Sequence, residues 1–361
     1  MQGFSFRQIH KDKKTRARVG VIRTAHGDIQ TPAFVPVGTQ GAVKSLTPEE
    51  LNTLGVQVFF VNTYHMYLRP GIDVVKKAGG LHKFMHWNRP LMTDSGGFQI
   101  FSLGAKISDD GVQFKSHWDG TKHIFTPESS MKWQEELGSD IHIAFDDCTP
   151  YGVSYEKAKK SLERTHRWAE RSLQAHKHGA LYGSIQGSVF EDLRKESAKF
   201  ISGMNFDGIA IGGVSVGESK KEMRDVLQWV TPFLPDDKPR HLLGVGEVDD
   251  IFTLVQNGMD TFDCVQPTRL ARVGMLYVKN KHRDITKAIF AEDFGPVEKG
   301  CECYTCTNFT RAYIHHLFHV KELLGYRLAT IHNVHFIHRL VDDIRQSIVD
   351  NSFLELKRTW L

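Results

Sequence analysis

The stretch Ile141-His142-Ile143-Ala144-Phe145-Asp146 is apolar and β-rich, and it ends on a carboxylate. The pattern recurs in Leu91-Met92-Thr93-Asp94 and in Thr261-Phe262-Asp263, while Leu181-Tyr182-Gly183-Ser184-Ile185-Gln186 ends on an amide. A β/α barrel keeps its chemistry on polar residues at the carboxyl ends of buried strands. Four strands ending this way point to one pocket, built for something small and polar.

Working outward, eight such runs can be read: 32–37, 56–63, 91–94, 140–146, 181–187, 207–213, 241–246 and 260–265. Helical patterns at 126–137, 155–176, 189–203, 220–233 and 249–257 separate several of them. Alternation of strand and helix predicts a parallel sheet, and eight repeats predict closure into a barrel. An open doubly wound sheet would carry a Gly-rich phosphate turn after its first strand, and none is present. Between the third and fourth runs, Val112-Gln113-Phe114-Lys115 and His123-Ile124-Phe125 flank Asp119-Gly120, the signature of an antiparallel hairpin. Two placements are open for it, the catalytic end or the barrel floor.

After the eighth run the pattern changes. Residues 275–290 are basic and strand-like, with Lys279, Lys281, His282, Arg283 and Lys287. A cysteine cluster follows, then a helical segment over 310–324 and a long final helix over 332–354. The expected fold is an eight-stranded β/α (TIM) barrel with a zinc-binding subdomain inserted between the last strand and the last helix. The divisions are a barrel over 1–275 with the hairpin near 111–126, the subdomain over 276–331, and the final helix and C-terminus over 332–361.

Composition sets the remaining bounds. The 361 residues are 40% hydrophobic and 24% charged, an ordinary globular balance with ample core. No apolar run approaches the roughly 18 residues of a membrane helix. Met1-Gln2-Gly3-Phe4-Ser5-Phe6 lacks a signal-peptide core, so the expected location is cytoplasmic with no membrane partner. A formal charge of +4 permits an acidic partner such as RNA without establishing one.

Of five cysteines, Cys148 and Cys264 each follow a strand-end aspartate, and Cys301, Cys303 and Cys306 fall within six residues. Clustered cysteines in a chain without a secretion signal mark metal more often than disulfides. Three thiolates plus one histidine suit tetrahedral zinc and leave no open position for water, which predicts a structural ion rather than a catalytic one. Spacing alone leaves the fourth ligand open among His332, at the start of the final helix, and His315, His316 and His335.

Several motifs resemble those of the tRNA-guanine transglycosylases. They are Thr93-Asp94-Ser95-Gly96-Gly97-Phe98-Gln99, Phe145-Asp146-Asp147-Cys148-Thr149-Pro150-Tyr151, Gln186-Gly187-Ser188-Val189-Phe190, Gly212-Gly213-Val214-Ser215 and Phe262-Asp263-Cys264-Val265-Gln266-Pro267-Thr268-Arg269. Cys301-x-Cys303-x-x-Cys306 with His332-Asn333 matches that family's zinc site, and Arg311-Ala312-Tyr313-Ile314-His315-His316-Leu317 resembles the stretch after its cysteines. The resemblance covers nearly the whole chain in order. It implies a barrel enzyme that exchanges the wobble guanine of U-G-U anticodon tRNAs (Asp, Asn, His, Tyr) for a 7-deazaguanine base. It also implies a structural zinc held by Cys301, Cys303, Cys306 and His332, one per subunit, and a homodimer.

The resemblance further implies roles. Asp263 is the nucleophile on the ribose anomeric carbon and Asp94 the general acid/base. The base pocket comprises Asp94, Ser95, Phe98, Asp146, Gln186, Gly212, Gly213, Val214 and Leu243. Arg269, Arg272, Gly244, Glu247 and Asp250 meet the RNA at the anticodon loop, with Lys279, Lys281, Arg283 and Lys287 along the stem. Taken singly each residue has a bland role: Asp94 could cap a helix, Asp263 could pair with Arg269, Gln186 could satisfy buried backbone, and Phe98 and Leu243 could pack the barrel rim. Leu270, Val273 and Glu247 depart from the family's pattern and bear on how tRNA is recognised. Cys148 and Val216 resemble the bacterial pattern, which takes 7-aminomethyl-7-deazaguanine in queuosine biosynthesis; Phe98 keeps a queuine-salvaging variant open. A noncatalytic tRNA-binding subunit and a zinc-dependent barrel hydrolase are the competing readings. The second would need strand-end ligands such as His142 around an open metal.

Overall fold

The computed structural model describes residues 3–101, 104–279 and 281–361. Met1 and Gln2, and Asn280 within the 275–290 stretch, lie outside the described residues.

Eight parallel strands form the barrel: Ala33–Pro36, Phe59–Val61, Leu91–Thr93, Ile141–Ile143, Ala180–Ile185, Gly208–Ile211, Arg240–Leu242 and Thr261–Cys264. Each pairs with its successor, the last pairs with the first (Asp263 opposite Val35), and a bridge from Val37 to Phe60 joins the first to the second. All eight expected runs are strands, each shorter than the apolar run that announced it. The runs read as continuously apolar because both faces are buried. One face fills the barrel with Ala33, Val35, Phe60, Met92, Ile141, Ile143, Tyr182 and Ala210. The other packs Leu181, Ile185, Ile209, Ile211 and Leu242 against the helices.

The helices start where their caps dictate. Thr126 and Ser129 form a reciprocal cap before Pro127–Leu137, and Ser219 and Glu222 do so before Lys220–Val230. Ser154 caps the 21-residue helix Tyr155–Ala175. Each supplies an acceptor to an N–H that the first turn leaves unpaired.

The N-terminal segment closes the barrel floor. Ser5–Lys11, Arg18–Thr24 and Gly27–Thr31 make an antiparallel meander, whose Ile22 and Ile29 plug the barrel interior. Arg18 and Asp260, 1% and 0% exposed, form a bidentate pair there at 2.9 and 2.6 Å. Asp140, at the amino end of its strand, accepts from the Leu91 amide and pairs with His26 Nδ1 at 2.7 Å. The hairpin, Val112–Lys115 with Lys122–Phe125, is extended by a third strand, Lys106–Ile107. It sits at the catalytic end: the Phe125 ring lies where a Cβ on Gly96 would be, and Tyr64 Oη lies 2.7 Å from His117 Nδ1.

One expectation is corrected. The final long helix runs Leu323–Val349, so it begins nine residues before the expected start and His332 lies in its third turn. The preceding helix stops at His319, and Lys321 at φ 58° turns the chain directly into the next one.

Candidate active site

The carboxyl ends of the barrel strands enclose a cavity of about 560 Å³. Asn62, Asp94, Asp146, Gln186, Gly212, Gly213, Leu243 and Asp263 line it, every one at or just beyond the end of a barrel strand. Ser95, Phe98, Cys148, Val216, Gly244 and Arg269 complete the wall.

Asp94 is held on every side. Its Oδ1 accepts from the Thr63 amide at 2.7 Å, and its Oδ2 accepts from Asn62 Nδ2 at 2.5 Å and Gln99 Nε2 at 2.8 Å. Thr63 opens the helix Thr63–Leu68, so Asp94 does serve as a helix cap, though of a helix from the neighbouring strand. Burial pushes its carboxyl up to about 6, and the charge of Asp263 across the cavity adds to the rise. Asp146 accepts from Gln186 Nε2 at 2.6 Å and from Ser95 Oγ at 3.3 Å. Burial raises it to about 6 as well, with Asp147 contributing. The pocket therefore holds two carboxyls poised near neutrality.

Asp263 does not pair with Arg269. Its Oδ1 takes the Gly244 amide at 3.0 Å and His241 Nε2 at 3.1 Å. Gly212 and Gly213 leave room for the Gln186 amide: a Cβ on either would fall 2.6 or 2.4 Å from it, and Gly213 has φ 62°, which favours glycine. Phe98 stands 47% exposed at the rim. Val214 is buried and faces a neighbouring cavity of about 240 Å³, together with Glu247 and Asp250; Gly244 borders both. Glu247 accepts from Gln266 Nε2 and Asp250 pairs with Lys220 at 3.2 Å, so both acids are engaged within the protein. Arg272 donates to the Thr268 carbonyl at 2.9 Å. His142, the strand residue a metal hydrolase would need, points out of the barrel: Nε2 meets the Ser139 carbonyl at 3.1 Å and Nδ1 meets His176 at 3.2 Å.

Away from the cavity, Cys301, Cys303, Cys306 and His332 gather in one buried group. His332 Nδ1 lies 3.9, 3.5 and 3.4 Å from the three sulfurs. Its Nε2 lies 2.6 Å from the Tyr277 carbonyl, which can only accept, so Nε2 carries the proton and Nδ1 presents a lone pair to the sulfurs. These four residues could hold one metal ion. His315 is engaged by the Ile285 carbonyl instead. Next to His332, Asn333 accepts from the Tyr277 amide and donates to the carbonyls of Pro267 and Met275. It thereby ties the cysteine group to the segment following Asp263.

A sequence model of the family described as queuine tRNA-ribosyltransferase matches residues 12–361. The chain belongs to that family. A queuine tRNA-ribosyltransferase from Thermoanaerobacter pseudethanolicus is 51% identical over 363 residues, covering 99% of this chain and 97% of the relative. The relative of that name from Desulforamulus reducens is 52% identical over 355 residues, 97% and 96% of the two chains, and that from Halothermothrix orenii 48% over 361 residues, 99% and 97%. Members of the family are enzymes.

Three residues of this transferase's site escaped the sequence reading. Asn62 ends its strand as Asp94 does, and the same strand-end rule finds it. His241 lies inside a short strand, fully buried beside Asp263. Arg194 is also fully buried, and among the described residues its guanidinium meets carbonyls rather than a carboxylate: it donates to those of Ile185, Ser188, Gly212 and Gly213. A lone arginine on the apolar face of the helix Glu191–Ser202, beside Leu193, Ala198 and Ile201, is the signal that marks it. Burial lowers it to about 10, which leaves it charged at neutral pH.

Proposed function

We propose that this transferase exchanges the wobble guanine of U-G-U anticodon tRNAs (Asp, Asn, His and Tyr) for 7-aminomethyl-7-deazaguanine, through a covalent glycosyl-aspartate. The observation that carries the reading is the pairing of two unlike carboxylates on one cavity. Asp94, pushed to about 6, can give and retrieve a proton near neutral pH. Asp263, anchored through Oδ1, keeps Oδ2 for attack.

The steps balance. Asp263 forms a bond to C1′ of the ribose as the bond from C1′ to guanine N9 breaks, and Asp94 protonates the departing base. The incoming base then loses a proton to Asp94 and displaces the aspartyl ester, so two inversions retain the configuration, as in retaining glycosidases. Asp146, steadied by Gln186 and Ser95, accepts the N–H donors of the guanine edge, and the Gly213 amide meets its carbonyl. Phe98 and Leu243 sandwich the ring. A base lacking those donors leaves buried polar groups unpaired and is rejected. Cys148 and Val216 in the wall support the aminomethyl base over queuine. Arg269 and Arg272, with Gly244, Glu247 and Asp250, border the entry for the flanking nucleotides of the anticodon loop.

The cysteine group and His332 would hold a structural zinc, one per subunit, because three sulfurs and one nitrogen close the tetrahedron. It would fix residues 276–331 against the barrel through Asn333. The protein would act as a homodimer in the cytoplasm. No described helix is long and apolar enough to cross a membrane.

The test is entry of labelled guanine into an unmodified tRNA with guanine at the wobble position of a U-G-U sequence, with Asp263→Asn alongside. Exchange by wild type and none by the variant supports the reading. No exchange by a folded, tRNA-binding wild type would favour a noncatalytic tRNA-binding subunit.

A further inference from the structure

His241 is a peculiar neighbour for a carboxylate nucleophile. It is 0% exposed, in the strand beside Asp263, with its ring stacked over Phe60 at 5.8 Å. Nε2 lies 3.1 Å from Asp263 Oδ1, and a carboxylate oxygen can only accept, so Nε2 carries a proton. Nδ1 lies 2.8 Å from the Thr261 hydroxyl, which is fixed on the same strand as Asp263. Strand, hydroxyl, imidazole and carboxylate thus close a ring that leaves the imidazole no freedom to turn. The Gly244 amide reaches the same Oδ1 at 3.0 Å. Two donors converge on one oxygen, and among the described residues none reaches the other.

We infer that His241 is a positioning residue that commits Asp263 to attack through Oδ2 and stabilises the carboxylate more than the ester formed from it. The inference rests on the reading of Asp263 as nucleophile. In the glycosyl-enzyme, Oδ2 is the bridging ester oxygen and Oδ1 the ester carbonyl. A neutral ester carbonyl is a weaker acceptor than a carboxylate, so the donors on Oδ1 favour the free enzyme. They make Asp263 a good leaving group when the second base attacks, because the returning electron pair spreads onto an oxygen already met by two preorganised donors. Without them the covalent species would be a trap rather than an intermediate.

This predicts an unusual sign. Removing the imidazole donor with His241→Phe makes the adduct more persistent, whereas general damage to the site makes it scarcer. The experiment incubates enzyme, tRNA and graded guanine, then resolves covalent enzyme–tRNA on a denaturing gel. A hydrogen bond to a charged group sets the scale, so the guanine concentration that discharges half the adduct rises on the order of tenfold or more in His241→Phe. Steady-state kcat falls while binding of free guanine is retained. His241→Gln, whose amide can donate to the same oxygen, returns the midpoint toward wild type. A midpoint in folded His241→Phe that is unchanged or lower overturns the inference. If wild type forms no adduct, the nucleophile reading itself fails, which is a distinct outcome. Should His241→Phe not fold, a structure of the wild-type adduct decides: an ester through Oδ2 with Oδ1 still on His241 supports the assignment, and an ester through Oδ1 refutes it.

Discussion

Replacing Asp146 by asparagine should stabilise this protein and cost it its base. Burial raises the Asp146 carboxyl from 3.8 to about 6. For an acid with a raised folded-state pKa, the folded protein binds the proton more tightly than the unfolded chain. Stability is therefore greatest below the unfolded pKa and falls as pH rises from about 4 to about 6. Above that it stays low, because the fold must hold a buried charge. A rise of that size corresponds to a penalty of about 3 kcal/mol at neutral pH. Asparagine does not titrate. Its Oδ1 can accept from Gln186 and its Nδ2 can donate to Ser95 Oγ, so a hydrogen bond to each partner of Asp146 remains, the one to Ser95 with its direction reversed.

Asp146→Asn should thus be more stable than wild type by about 3 kcal/mol at pH 7.5 and by less than about 1 kcal/mol at pH 4. The assay is urea unfolding of both proteins across that range. The pH dependence of the difference is the discriminating quantity, since a gain from better packing would be flat. A flat difference, or a variant less stable at pH 7.5, would refute the argument that the pocket stores unfavourable charge. Guanine affinity should move the opposite way, because an amide cannot accept two N–H donors as a carboxylate does. A site that trades stability for an acceptor pair is what differential binding of a guanine edge requires.

Three further outcomes follow from the geometry. Cys303→Ser should release the metal, read by metal analysis of the purified chain, and lower the thermal midpoint; retention of metal with an unchanged midpoint would remove Cys303 from the ligand set. Gly213→Ala puts a Cβ 2.4 Å from Gln186 Oε1 at a left-handed φ, so guanine binding should weaken at least tenfold while tRNA binding persists; wild-type guanine affinity would show that the loop yields. Arg18→Met strips the bidentate partner from buried Asp260, leaving it the Arg240 amide, and should cost about 3–5 kcal/mol in unfolding free energy without changing KM for guanine; a loss below about 1 kcal/mol would mean that Arg240 or water compensates Asp260.

What the sequence disclosed and what it hid divide along physical lines. The barrel was legible because strands buried on both faces cannot avoid apolar runs, and because each run had to stop where its polar end residue enters the cavity. Asp94, Asp146, Gln186 and Asp263 are consequences of that geometry, as is Asn62. The floor was not legible. Ser5–Lys11 is largely exposed, with only Phe6 and His10 half-buried, so its alternation carries too little apolar contrast to announce a strand. The start of the last helix was hidden because Lys321, an unremarkable residue for a left-handed turn, breaks the chain where glycine or proline would have advertised it.

His241 and Arg194 were hidden for a different reason. Each violates the local pattern, a polar side chain on a buried face, and such violations look like noise until the partner is known. The partner of His241 is Asp263, one strand over, and those of Arg194 are carbonyls of the Gly212–Gly213 turn. Both hold residues that line the cavity rather than lining it themselves. Motifs disclose groups whose chemistry requires them in sequence. The groups that hold those motifs in place come from neighbouring strands and helices, and only the closure of the barrel brings them together. A fixed Asp263 and a fixed glycine turn are therefore properties of the whole barrel, and substitutions at His241 or Arg194 should alter the reaction without touching any motif.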